Sequence, residues 1–294
     1  MEIFGIPSQA LFGQLLIGLI NGSFYALLSL GLAVIFGLLN IINFTHGAQY
    51  MLGAFCAYLL LNKLGIEYWW SLALAPIIVG ITGVVIERTM LSKLYKLDHL
   101  YGLLLTFGLA LIIQGLFRNE FGSSGLPYRI PQELQGAQNL GFMFLPNYRA
   151  WVIVVSLVVC LATWYVIERT KLGAYLRAAT ENPQLVQAFG INVPRMIMLT
   201  YGFGVALAAF AGVMAAPIYQ VNPLMGADLI IVVFAVVVIG GMGSIMGAIV
   251  TGFGLGIIEG LTKVFYPEAS NTVIFIIMAI VLMFKPAGLF GTQK

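Results

Sequence analysis

Charge is what this 294-residue sequence holds least of: lysine, arginine, aspartate and glutamate make up 9% of it, where a soluble domain carries about 25%. That scarcity excludes an ordinary water-soluble fold, because a 61% hydrophobic chain with mean hydropathy +1.00 lacks the polar residues to cover itself. A net charge of +3 gives no electrostatic footprint for nucleic acid. Cysteine is scarce too. Cys56 and Cys160 both lie in apolar runs and read as small core residues, not as a disulfide framework or redox pair. The chain contains no Gly-Lys dipeptide, so it has no phosphate-cradling loop with which to hydrolyse a nucleotide itself. Its only aspartates, Asp98 and Asp228, fall at the edges of apolar runs, which argues against an intramembrane aspartyl protease. A serine hydrolase would need His46 to meet a serine such as Ser29 or Ser244, with nothing in the sequence to orient the pair.

What is present is a series of uncharged runs. A charge at a bilayer centre costs about 2.5–3.5 kcal/mol even on the lenient insertion scale, so gaps between charges mark candidate crossings. From Ile3 to Asn62 the only titratable side chain that could ionise near neutrality is His46, and this stretch is long enough for two crossings of about 20 residues. Further runs cover 68–86, 99–117, 150–167, 196–227, 229–258 and 269–284. The expectation is an all-α polytopic membrane protein with eight or nine transmembrane helices, the whole of 1–294 forming one membrane domain. Glu2 precedes the first run and many runs follow it, so a cleaved signal peptide is not expected.

One polar island breaks the series. Residues 168–195 carry four cations and two acids over 28 residues, between runs that can each cross a bilayer. Placing it in the cytoplasm puts nine basic residues inside, including Arg88, Lys93, Lys96, Lys285 and Lys294, and leaves five outside: Lys63, Arg118, Arg129, Arg149 and Lys263. The excess of basic residues inside favours this orientation, with the C-terminus cytoplasmic. It also places Arg118 to Arg149 outside. That 32-residue stretch contains Pro127, Pro131 and Pro146, and a loop of such length is expected to serve a docking partner or to cap the bundle.

Within the island, Asn182 suits an N-cap, Pro183 the first helical position and Gly190 the left-handed C-terminal position. They frame a short helix, Pro183 to Phe189, with Leu185, Val186 and Phe189 as a small apolar face. Lys171 to Thr180 can form a helical extension of the preceding span. A helix as short as 183–189 is stable only when packed, either on its own bundle or in a groove of another protein.

A second interruption, Asn40, Asn43, Thr45, His46 and Gln49, sits in the otherwise apolar NIINFTHGAQYMLGAF. Such side chains must face helices, water or a substrate path, not lipid. Asn43 or Thr45 could cap a helix starting near His46, which makes the segment a broken helix, with His46, Gln49 and Tyr50 on one face. Both readings stay open: a polar cluster that holds helices together, or a translocation path. An echo occurs 194 residues later, where Gly47, Gly53 and Ala54 correspond to Gly241, Gly247 and Ala248; it is consistent with two related halves, each with a broken helix. Glycines four apart, Gly18 and Gly22, Gly243 and Gly247, Gly256 and Gly260, read as helix contacts.

Four motifs then carry a family resemblance. Asn43-Phe44-Thr45-His46-Gly47 with Met51-Leu52-Gly53, the island pattern Gly173, Arg177-Ala178, Glu181, Ala188, Gly190-Ile191-Asn192 and Arg195, Gly240-Gly241-Met242-Gly243-Ser244 with Gly247-Ala248, and the closing Lys285-Pro286-Ala287-Gly288-Leu289-Phe290-Gly291 resemble the permeases of high-affinity branched-chain amino acid ATP-binding cassette importers, LivH-type subunit, from about Ile17 to Gly291. The resemblance implies a non-catalytic subunit of the bacterial inner membrane. Its implied partners are a second, LivM-type permease, two cytoplasmic ATPases that bind the ATP and Mg, and a periplasmic binding protein; the chain itself binds no cofactor and no metal. The candidate translocation path is Asn40, Asn43, Thr45, His46, Gln49, Tyr50, Gly241, Gly243 and Ser244, and the resemblance implies ATPase coupling by the island, with candidates Arg177, Ala178, Ala179, Glu181, Asn182, Leu185, Phe189, Gly190 and Arg195. Many relatives carry an acid after the His-Gly pair. Ala48 stands there in this chain, so a role for that carboxylate does not transfer. The family also serves urea, amides and other small organic acids.

The rival from the residues alone is an ion-coupled secondary transporter, which needs carboxylates or histidines inside its spans. Here His46 is the candidate, with Glu87, Asp228 and Glu259 expected near span ends. The expected orientation is directly testable: cysteine placed at Lys93 or Arg177 should react with an impermeant thiol reagent only from the cytoplasmic face, and labelling of intact cells from outside would reverse it.

Overall fold

A computed structural model of the chain describes residues 2–3, 6–39, 43–95, 97–141 and 143–291. Asn40, Lys96 and Lys294 lie outside the described residues. Eleven α-helices occur among them: α1 (Ser8–Leu39), α2 (Thr45–Leu64), α3 (Tyr68–Thr89), α4 (His99–Phe121), α5 (Asn147–Arg169), α6 (Lys171–Glu181), α7 (Pro183–Ala188), α8 (Val193–Tyr219), α9 (Met225–Gly240), α10 (Ile245–Phe265) and α11 (Val273–Phe284). Six of them, α1, α3, α4, α5, α8 and α10, are long and apolar enough to cross a membrane. Against the expected eight or nine crossings, the described residues hold these six helices of spanning length, two shorter apolar helices of 16 and 12 residues, α9 and α11, and the 20-residue α2, whose first turns are polar.

The chain divides into a packed centre and a lipid-facing wall. In α1, 83% of the apolar window is buried, in α8 67%, but in α4 only 17%; α1 is thus the helix around which the others assemble. Leu104, Leu111, Ile112 and Leu116 of α4 point outward. In a bilayer that exposure has no cost, since lipid tails are as apolar as the side chains.

Lipid supplies no hydrophobic drive between helices, so close backbone approach must bind them. Here α1 and α10 run antiparallel along a glycine seam. A Cβ on Gly18 would stand 2.4 Å from the Gly256 carbonyl oxygen, one on Gly256 would stand 2.4 Å from Gly22 Cα, and one on Gly260 would stand 2.4 Å from the Gln14 carbonyl oxygen. Two of the three glycine pairs read from spacing therefore meet each other. The third does not behave as expected: Gly243 lies in a turn before α10, and Gly247 packs on Gly240, at the end of the neighbouring α9.

At the end of the bundle away from 168–195, aromatic side chains gather as they do at membrane interfaces. Tyr148 donates to the Met214 carbonyl at 2.8 Å, and its hydroxyl meets that of Tyr68 at 3.0 Å. The Arg118–Arg149 stretch is shorter and more ordered than its prolines imply, because α4 runs to Phe121 and α5 starts at Asn147. Ala137–Asn139 pairs with Phe144–Pro146, and Leu126 pairs with Val221 through bonds of 2.8 and 2.9 Å, which ties this cap to the α8–α9 link.

Gly256→Leu should lower the stability of the detergent-solubilised chain by more than the ~1–3 kcal/mol of ordinary overpacking, because the contacted atoms are backbone. Leucine at Gly254, which meets nothing within 4 Å, should leave the thermal midpoint unchanged; equal losses at both positions would dissolve the seam.

Candidate functional site

The first polar interruption forms a buried knot in which only His46 Nδ1 lacks a partner among the described residues. The Asn43 side-chain oxygen accepts from Thr45 N–H at 3.1 Å, so Asn43 organises the helix start, while Phe44 occupies the cap position without a capping side chain. Thr45 donates to the Thr106 carbonyl at 2.8 Å. His46 Nε2 donates to the Leu28 carbonyl at 3.0 Å, in the middle of α1. Asn43 donates to Gln49 at 3.4 Å, and Gln49 donates to the Tyr201 hydroxyl at 3.5 Å. Asn43, Thr45, His46 and Gln49 are each at most 1% exposed. The contacts account for these four as a buried clamp joining α2 to α1, α4 and α8. Thr106 and Tyr201 complete it; neither carries a sequence signal, since each is one polar group in an apolar run.

The second-half motif lies at a different place. Gly241 and Gly243 have φ of 104° and 84°, conformations open to glycine. Ser244 caps α10 by accepting from Gly247 N–H at 3.1 Å. The closing Lys285–Gly291 motif covers this turn: Leu289 and Phe290 donate to the carbonyls of Ile239 and Gly240 at 2.8 and 3.1 Å. The 194-residue echo is not matched by position, for Gly47 sits in the first turn of α2 while Gly241 precedes α10.

The island folds as two helices standing off the bundle. Instead of extending α5, α6 begins after a break at extended Thr170. At that break a Cβ on Gly173 would lie 1.5 Å from the Ile167 carbonyl oxygen, and Arg177 donates to that oxygen at 3.0 Å and to Glu168 at 3.2 Å. The motif spacing of Gly173 and Arg177 thus has a mechanical cause. Asn182 caps α7 through Leu185 N–H at 3.0 Å, Pro183 takes the first turn, and Gly190 has φ of 82°. One expectation is corrected: Val186 turns inward onto Ala179 and Val193, because a six-residue helix needs an anchor, leaving Leu185 (54% exposed) and Phe189 (78%) at the tip. Ala178 and Glu181 are exposed beside them. Arg195 lines a cavity of about 670 Å³ with Arg88, Gln187 and Tyr95. Burial, together with the Glu87 carboxylate to which it donates at 2.6 Å, holds the Tyr95 phenol above its ordinary pKa. Gly243 and Arg177 line one small cavity of about 90 Å³, so the second-half turn abuts the island.

A polar site missed by the sequence reading lies at the opposite end. Glu259 sits inside α10, not at its edge, and is 5% exposed. It accepts from Tyr25 at 2.7 Å and Asn21 at 3.3 Å, and pairs with Lys263; Tyr219 donates to Asn21 at 2.7 Å. The signal was the i,i+4 spacing of Asn21 with Tyr25 and of Glu259 with Lys263. This network walls a cavity of about 290 Å³, reached also by Tyr50 and Asp228. Among the described residues of the first polar cluster, Tyr50 is therefore the one that leaves the knot.

Residues 14–282 match the family described as branched-chain amino acid transport system / permease component. The chain belongs to that family. This permease is 30% identical over 296 residues to the high-affinity branched-chain amino acid transport system permease protein LivH of Escherichia coli, covering 96% of each chain. It is 31% identical to BraD of Pseudomonas aeruginosa, again over 96% of each. The LivM permease of Salmonella typhimurium is 26% identical over 92% of this chain and 68% of its own. No solved structure matches the permease.

Replacing Gln49 with Leu strands Asn43 and Tyr201 and should cost about 1–3 kcal/mol, read as a lower melting midpoint of the purified permease. An unchanged midpoint with lost transport would instead mark Gln49 as part of the path.

Proposed function

We propose that this permease is one membrane-spanning half of an ATP-driven importer of branched-chain amino acids or related small solutes in a bacterial inner membrane. In this reading a second, LivM-type permease supplies the other half. Two cytoplasmic ATPases bind the ATP and Mg, a periplasmic protein delivers the solute, and 168–195 and the C-terminus face the cytoplasm. The whole of 1–294 acts as one membrane domain and carries out no hydrolysis. The observation that carries the reading is the α6–α7 tip: Leu185 and Phe189 are exposed on a segment whose base is fixed to the spans.

The geometry gives the tip two mechanical outlets. Arg177 and Gly173 join α6 to the end of α5, and Val186 packs against Val193 at the start of α8. Displacement of the tip by a closing ATPase therefore moves the ends of two spans. At its far end α8 carries Tyr219, in the wall of the cavity beside Glu259. One continuous helix, with Pro217 in its last turn, thus runs from the energy-input end to the far cavity. Asn43, Thr45, His46 and Gln49 serve this by holding α2 to α8, while Tyr50, Gly241, Gly243 and Ser244 lie where the moving elements meet. An ion-coupled carrier would need a titratable group free to exchange protons with the path. His46 is held against the Leu28 carbonyl and Glu259 is paired with Lys263, so neither supports that mode, and Asp228, in the first turn of α9, is the carboxylate left to it.

Leu185→Asp and Gly190→Val should each abolish leucine uptake while the chain remains inserted in the membrane. Valine at a left-handed position costs at least about 1–2 kcal/mol, enough to displace the short α7. Normal co-purification of the ATPases with both variants would remove the coupling role.

A further inference from the structure

The cavity at the end remote from α6–α7 brings a carboxylate, neutral donors and apolar side chains together. Most of its polar wall is already committed. Tyr25 donates to Glu259, Tyr219 donates to Asn21, and Asn21 uses both ends of its amide, donating to Glu259 and accepting from Tyr219. Three groups are left over. The Tyr50 hydroxyl is buried and has no partner among the described residues, although the phenols of Tyr25 and Tyr219 stand near enough to interact with it electrostatically. Asn222 accepts from Leu224 N–H at 2.9 Å through its oxygen, which leaves its NH₂ group to donate. Asp228, in the first turn of α9, takes part in no ion pair among the described residues.

The uncommitted set is thus one anion and two neutral donors, beside the apolar side chains of Phe24, Met225 and Leu229. A buried hydroxyl without a partner is costly unless something occupies the space beside it. An ammonium suits Asp228, a carboxylate suits two neutral donors, and an aliphatic group suits the apolar wall. A volume of about 290 Å³ is at the lower end of the range for small-molecule sites.

We propose that this cavity holds a zwitterionic aliphatic α-amino acid during passage, with Asp228 receiving its ammonium, Tyr50 and Asn222 its carboxylate, and Phe24, Met225 and Leu229 its side chain. The site is a contact made by the permease itself, separate from selection by any delivery protein. It rests on the reading of the chain as an importer subunit. Glu259 is a positioning residue: through Asn21 and Tyr25 it fixes the wall and keeps those donors from competing for the solute.

The test uses the assembled transporter in proteoliposomes with L-leucine. Tyr50→Phe should lower uptake about fivefold, as for one lost hydrogen bond, and Asp228→Asn about tenfold or more, as for a charge-assisted one. Asp228→Glu should recover most of the loss. A second measurement does not depend on assembly of those variants. In a chain with Cys56 and Cys160 replaced by serine, Asn222→Cys should be protected from a methanethiosulfonate reagent by L-leucine and not by 4-methylpentanoate, which lacks the ammonium. Full uptake by both Tyr50→Phe and Asp228→Asn, or labelling of Asn222→Cys that leucine does not slow, overturns the site. Failure of the unsubstituted assembly to take up leucine, with leucine protection intact, overturns the importer reading and upholds the cavity.

Discussion

Backbone contact between α1 and α10 is the constraint on which the rest of the permease depends. Because Gly18, Gly22, Gly256 and Gly260 let the two helices touch, α1 sits at the centre of the bundle and the remaining spans wrap it. In a bilayer this contact gains packing energy that no lipid competitor supplies equally well. It also fixes the height of α1, which sets where every polar group on it can reach. Leu28 is thereby placed to receive His46, and Asn21 and Tyr25 to meet Glu259.

The polar side chains of the interior divide according to whether their hydrogen bonds close. Around the start of α2, Asn43, Thr45 and Gln49 each find a protein partner, and His46 bonds through Nε2 while its Nδ1 has none among the described residues. At the far cavity the donors of Asn21, Tyr25 and Tyr219 are spent on one another and on Glu259, while Tyr50 and Asp228 are not. The same types of residue thus serve a structural role in one place and present unused capacity in another. Composition alone does not separate the two, since unmet hydrogen bonds are a property of the packed state.

The joint between α5 and α6 has an equally local basis. The carbonyl of Ile167 is approached by Gly173 and bound by Arg177, so α6 turns sharply off α5 without losing its connection to it. A side chain at Gly173 would meet that carbonyl, and loss of the guanidinium would remove its bonds to Ile167 and Glu168. The exposed tip thus stands on a base joined to α5 and α8, and α8 runs from that base toward the far cavity.

The sequence by itself determined the membrane class, the polar island with its Asn182, Pro183 and Gly190 signals, the break before α2 and the glycine pairs, because each follows from local chemistry: the cost of charge in lipid, helix-end geometry and close packing at fixed spacing. It carried the family through four motifs in order. Only the tertiary structure decided that Gly18–Gly22 meets Gly256–Gly260, that Val186 turns inward, that Glu259 lies within α10 beside Asn21 and Tyr25, and that Tyr50 parts from its neighbours to face a cavity. These outcomes depend on which helix lies opposite which. A pattern along one helix specifies a face, but what meets that face is set by the relative height and rotation of segments as much as 238 positions apart in the chain.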